Sequence, residues 1–231
     1  KLYILFFSKM QYNGLTIIGT SHISKQSVND VKEHILIEKP EIIAIELDKI
    51  RLYSLLNKKK KLKSVDFRKI GFTGLIFNFI GAYIEKKLGK LVDTKPGSEM
   101  LAAIKLARQE KIPISLIDQD IRITLKKITK NITWKEKFRF LKDLFFSKQN
   151  KKELKKVDLS KVPSEKIIEE LTKEFKKRYP TLYKVLVTER NQIMAKNLNK
   201  LIINNKDKKI LAVIGAGHKR DIEKLLENAN I

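Results

Sequence analysis

TIIGTSH at residues 16–22 and AVIGAGH at residues 212–218 decide how this chain is read. Each is an apolar run followed by Gly-x-x-His and then by a stretch with helical spacing. Together they use two of the three histidines in 231 residues. A β-rich apolar run that ends at Gly reads as a strand, and the Gly permits a tight strand-to-helix turn and a close backbone approach to a ligand. Each phrase therefore predicts a strand that delivers an imidazole to the start of a helix.

Working outward, LTIIGT (15–20), EIIAIEL (41–47), PISLID (113–118) and ILAVIG (210–215) are short apolar runs. Continuous apolar runs are the pattern of strands covered on both faces, as in parallel sheets. Between them the spacing predicts helices over 25–37, with Val28, Val31 and Ile35 on one face, and over 48–57, 98–110 and 121–130. Further helices are predicted over 134–156, with Trp134, Phe138, Leu141 and Phe145 at helical spacing, over 163–178 and 181–205, and from about Lys219 onward. Alternating strands and helices predict an α/β fold with a central, largely parallel sheet. The long helical insertions, at about 58–95 and 134–180, are expected to form a helical layer or lid on a single domain spanning 1–231.

Hydrophobic residues make up 42% and charged residues 33%, a globular composition. The absence of cysteine excludes disulfides, thiolate metal sites and a Cys nucleophile. The net charge of +24 comes from 42 Lys and only 8 Arg, spread along the chain. Base and phosphate recognition leans on Arg, and no nucleic-acid-binding motif accompanies the charge, so no specific nucleic acid is expected. IGFTGLIFNFIGAYI (70–84), with lysines on both sides, reads as a buried helix or hairpin, or else as an interfacial anchor on an anionic membrane surface. No stretch reaches the roughly 20 apolar residues of a spanning helix, so the chain itself reads as soluble.

In an open parallel sheet, ligands bind outside the carboxyl ends of the strands. The residues that follow the strands are His22, then Glu46 and Asp48, then Asp118 and Asp120, then His218. Two His and a carboxylate form a common set for a catalytic divalent metal such as Mn, Co or Zn, with Glu46 as the carboxylate expected here. A second signal comes from 181–205, where Arg190 interrupts the stripe Leu186, Met194, Leu198, and Val185 and Ile193 flank Glu189. A charge on an apolar face needs a partner. Either it makes a structural salt bridge or marks a bend, or the stripe borders a polar pocket where Arg190 faces a carboxylate or developing oxyanion. His34 carries no motif and reads as structural or exposed. Glu99, taken alone, reads as a first-turn acid stabilised by its helix dipole.

GTSH, IELDKIR, PGSEMLAAIKLA, LIDQDI, LVTERNQIMA and VIGAGH occur in this order over nearly the whole chain. Together they resemble the TraB family, the group that includes the PrgY pheromone-shutdown proteins and the TIKI proteases. The resemblance implies an α/β fold and divalent-metal-dependent peptidase chemistry. It implies His22 and His218 as the motif histidines, Glu46 as the strand-end acid, and Arg51 one helical turn beyond it. It also picks out Glu99 and the group Glu189, Arg190 and Asn191. Gln119 stands where the family usually has Arg, and Lys219 and Asp221 replace a hydrophobic residue and a Gly. Microbial relatives with C-terminal membrane helices imply membrane association for full-length members.

The resulting expectation is a metal-dependent hydrolase of peptides. His22, Glu46 and His218 hold the metal, Glu189 or Glu99 serves as base or further ligand, and Arg190 stabilises the oxyanion. The alternatives are a non-catalytic protein that sequesters a peptide or anionic ligand, and a regulator at the membrane surface. A homo-oligomer is compatible with each.

Overall fold

A computed structural model describes residues 14–20, 25–57, 97–146 and 165–229. His22 and the segment 70–84 lie outside the described residues, as does the whole of the expected insertion at 58–95.

Four short strands form the core: β1 (Leu15–Thr20), β2 (Ile42–Ile45), β3 (Ile114–Leu116) and β4 (Ile210–Gly215). They lie in the order β1-β4-β2-β3, and every pairing is parallel. The last strand thus sits between the first two, so the twin phrases are neighbours. Ile17 faces Ala212, Gly19 faces Ile214 and Thr20 faces Gly215, a pairing one residue out of step with the alignment of the phrases themselves. A Cβ on Gly19 would lie 3.3 Å from the Ala216 Cα, so the glycine of one phrase is what lets the other phrase close on it.

Alternation along the strands sorts the core into two faces. Leu15, Ile17, Ile42, Ala44, Ile210, Ala212 and Ile214 point one way. They meet Met194, Ala195, Leu198 and Ile202 of α8 (Glu189–Ile203) and Ile222 and Leu226 of α9 (Ala216–Glu227). Ile18, Ile43, Ile45, Leu211 and Val213 point the other way, against Val31 and Ile35 of α1 (Lys25–Glu38) and Met100, Ala103, Ile104 and Ala107 of α3 (Ser98–Gln109). Each side chain of this kind that is fully buried contributes about 1.5–3 kcal/mol, and the sheet carries such residues on both sides.

Local signals set the ends. Asp48 caps α2 (Lys49–Leu56), its carboxylate accepting from the N–H groups of Ile50 and Arg51. Asp120 caps α4 (Ile121–Asn131) through the Arg122 N–H. After α1 and α3 the chain turns through left-handed Lys39 and Lys111, and a proline follows before the next strand. The final helix begins at Ala216 rather than near Lys219. Gly217 and His218 therefore lie inside its first turn, and the strand-to-helix turn is made at Gly215 with ordinary negative φ.

The expected helical layer is present among the described residues. α5 (Trp134–Phe146), α6 (Glu165–Arg178) and α7 (Pro180–Tyr183) follow α4. Ile128, Ile132, Phe140, Phe175, Tyr179, Leu182, Val185 and Leu186 form a separate apolar core between them. The helix expected over 181–205 is not uniform, because Lys184–Thr188 is a π-helical turn between α7 and α8. Among the described residues no helix is long and apolar enough to cross a membrane.

Candidate functional site

The parallel order brings the carboxyl ends of all four strands to one edge, and there the charges meet. β2 runs directly into Glu46, and β3 is followed after one residue by Asp118. β4 leads through Gly215 into the first turn of α9, which carries His218. α8 brings Arg190 across from the opposite layer.

Arg190 is the hub. Its Nη2 donates to Glu46 Oε1 at 2.6 Å and to Asp118 Oδ2 at 2.5 Å, and its Nε donates to Asp118 Oδ1 at 3.1 Å. Nη1 donates to the Leu186 carbonyl at 3.0 Å and lies 3.5 Å from His218 Nε2. The π turn has a direct part in this. Glu189 N–H reaches back five residues to the Lys184 carbonyl, and the Leu186 carbonyl of the same turn accepts from the guanidinium. A side chain that interrupts an apolar stripe is therefore paired on nearly every donor.

A second arginine completes the network. Arg51 Nε donates to Asp48 Oδ2 at 2.5 Å, and its Nη2 donates to Asp118 Oδ2 at 2.5 Å and to the Gln119 carbonyl at 3.4 Å. Burial pushes the Asp118 carboxyl up, but hydrogen bonds and charge from Arg190 and Arg51 outweigh it and hold the group below its ordinary value of 3.8. Burial likewise opposes the charge on Arg190, and Asp118 and Glu46 overcome it, so its pKa is raised. Glu46 is anchored on its other oxygen by the Gly215 N–H at 2.6 Å.

His218 is oriented from behind. Its Nδ1 lies 2.6 Å from Asn191 Oδ1, and Asn191 Nδ2 donates to Asp221 Oδ2 at 3.1 Å. With Asn191 fixed in this sense, Nδ1–H donates to Asn191 Oδ1 and Nε2 faces the cluster. That Nε2 lies 3.5 Å from Glu46 Oε1. Asp221 is thus the residue that holds Asn191.

Of the residues expected at the site, Glu46, Arg51, Arg190 and His218 converge. Glu189 instead pairs with Lys127 of α4 at 2.6 Å. Glu99 is buried in the first turn of α3, and His34 pairs with Glu38 within α1 at 2.8 Å. Among the described residues no three of His, Asp and Glu form a group able to hold a metal ion. His22, the expected third member, lies outside them. Sequence alone marks Asp118 as one strand-end acid among several, yet its side chain is 0% exposed and both arginines bind it. The signal is weaker than at Glu46, because β3 contains Ser115 and Ile117 separates it from Asp118.

Two readings of a metal can be tested on these atoms. Two ligands bound at about 2.1 Å around a tetrahedral ion stand roughly 3.4 Å apart. Glu46 Oε1 and His218 Nε2, at 3.5 Å, fit that separation. The Nδ1–H of His218 is already engaged behind the ring, as it is in most metal-binding histidines.

Comparison with known proteins gives a consistent result. The model of the TraB/PrgY/gumN family matches residues 6–230. An uncharacterized protein of Methanocaldococcus jannaschii is 38% identical over 99% of this chain and 58% of its own length. TraB domain-containing proteins of mouse and human are each 23% identical over 90% of this chain and 61% of their own. The chain spans about three-fifths of the length of the curated relatives it matches.

Proposed function

The chain belongs to the TraB/PrgY/gumN family, and from that premise we propose that it is a metal-dependent hydrolase acting on peptides. The observation that carries the reading is the pairing of His218 Nε2 with Glu46 Oε1 at 3.5 Å, each fixed from behind by a protein group. Charge supports it. Glu46, Asp48 and Asp118 set three carboxylates against the two guanidiniums of Arg51 and Arg190, so a neutral His218 leaves the cluster with an excess negative charge that suits a cation.

His22, Glu46 and His218 would hold Mn, Co or Zn, and the bound ion would supply Lewis acidity toward a substrate carbonyl or a water. The chain's own residues do the rest. Gly215 N–H and Arg190 hold the Glu46 carboxylate in place, and Asn191 with Asp221 fixes the His218 tautomer. Arg51 and Asp118 brace Arg190, whose Nη1 side faces His218 and would meet negative charge growing on the substrate.

The test is calorimetry of the purified protein with Mn, Co and Zn, alongside a peptide-cleavage screen. Wild type should bind stoichiometrically, and His22→Ala, His218→Ala and Glu46→Gln should each lose at least tenfold in affinity and lose cleavage. Full cleavage by the histidine variants would defeat the proposal. Peptide binding without turnover, with or without metal, would reassign the same cleft to ligand capture.

A further inference from the structure

We infer that the outer face of α5 docks on an anionic lipid surface, independently of the chemistry at the sheet edge. The helix reads WKEKFRFLKDLFF, and its charges are sorted by side. Both acids turn inward. Glu136 is buried, bonded to Thr133 and to the Thr181 N–H. Asp143 is bound by Arg178 and Tyr179. What remains outward is Trp134, 72% exposed, and Phe138, 67% exposed, lining one shallow apolar groove with Leu141 and Lys137. Lys135 and Lys142, both exposed, lie on the other flank at helical spacing.

A tryptophan and a phenylalanine kept in water lose the burial energy they would gain elsewhere, so an exposed pair implies a partner. The partner is set by charge. Among the described residues the charges beside this groove are basic, Lys137 in its lining and Lys135, Arg139 and Lys142 on the flank, and the chain carries +24 overall, so an acidic surface is favoured. Lysine fits lipid in a further way. Lys137 Nζ rests 4.3 Å from the centre of the Trp134 ring, and its flexible stem can follow an apolar surface while the ammonium reaches headgroup phosphates. Aromatic rings with basic neighbours on one helix face are the pattern of helices that lie in the membrane interface.

Trp134 is the chain's only tryptophan, so its fluorescence reports on this face alone. With phosphatidylserine/phosphatidylcholine vesicles its emission should shift to the blue, and brominated acyl chains should quench it. Phosphatidylcholine vesicles alone should do neither. Reversing Lys135, Lys137 and Lys142 to Glu should abolish the shift and lower vesicle affinity about tenfold or more. Reversing the exposed Lys196, Lys200 and Lys224 should preserve the shift. Phe138→Ala should weaken binding severalfold while leaving the fold intact. Cosedimentation with an unchanged Trp134 spectrum would overturn the inference, since charge elsewhere would then be responsible. So would a blue shift that grows with protein concentration without lipid, which would mean that the face pairs with a second copy. A failure to bind acidic vesicles at low salt would also overturn it and leave a protein partner for the face.

Discussion

Arg190 and Arg178 each grip one aspartate with Nε and Nη2, Arg190 buried at the sheet edge and Arg178 on the surface of the helical layer. Arg190 is 13% exposed and its Asp118 0%, whereas Arg178 is 45% exposed and its Asp143 31%. Both aspartates are held below their ordinary value. At Asp118 burial opposes that shift and the arginines prevail, while at Asp143 the Arg178 hydrogen bond leads. At the surface, water and salt would replace most of what the pair supplies. At the sheet edge nothing replaces it, so the buried fork obliges Glu46, Asp118 and His218 to share one geometry. The same two-pronged contact is thus a local tie in one place and a constraint on the whole edge in the other.

Removing the arginine separates the two cases most sharply. Arg190→Leu leaves buried Asp118 with Arg51 alone and buried Glu46 without its arginine, and should cost roughly 3–5 kcal/mol in urea unfolding. Arg190→Lys keeps the charge without the fork and should fall between that and wild type. The next largest contrast is in acid. Asp118 has a folded pKa below its unfolded value of 3.8. Its contribution is therefore complete above the unfolded value and is lost as pH falls through the folded one. Asp118→Asn should flatten the fall in stability below about pH 4, as read from urea midpoints across a pH series. Asp143→Asn should alter that slope less. The smallest effect belongs to Arg178→Ala, about 1 kcal/mol or less and shrinking with added salt. A cost as large as that of Arg190→Leu would break the comparison.

Much of the edge was legible because parallel strands buried on both faces appear as apolar runs, and whatever follows each run must collect at one side. EIIAIEL gives both β2 and Glu46, and AVIGAGH gives both β4 and His218. Arg190 was visible as a charge within an apolar stripe, and of the alternatives set out for it the salt bridge is the one that its contacts with Glu46 and Asp118 meet. What could not be read was pairing at a distance. Nothing local tells that β4 inserts between β1 and β2, that Arg51 joins Asp48 to Asp118, or that Glu189 turns to Lys127. The π turn was hidden as well, because one extra residue in a helix changes no periodicity over so short a span. The last helix starts earlier than expected, at Ala216, although Gly217 in its first turn has low helix propensity.

The position of β4 has a consequence for how the molecule is made. β1 leaves the ribosome almost two hundred residues ahead of its partner strand, since residues 15–20 pair with 210–215. Until β4 arrives, β1 has no neighbour among the described strands and β2 shows an open edge toward the place β4 will take. Closing such distant parallel pairs is slow and leaves sticky backbone exposed meanwhile. The sheet therefore closes only once β4 has been synthesised, and the charged edge, which needs Gly215 on Glu46 and α8 across it, is completed with that strand.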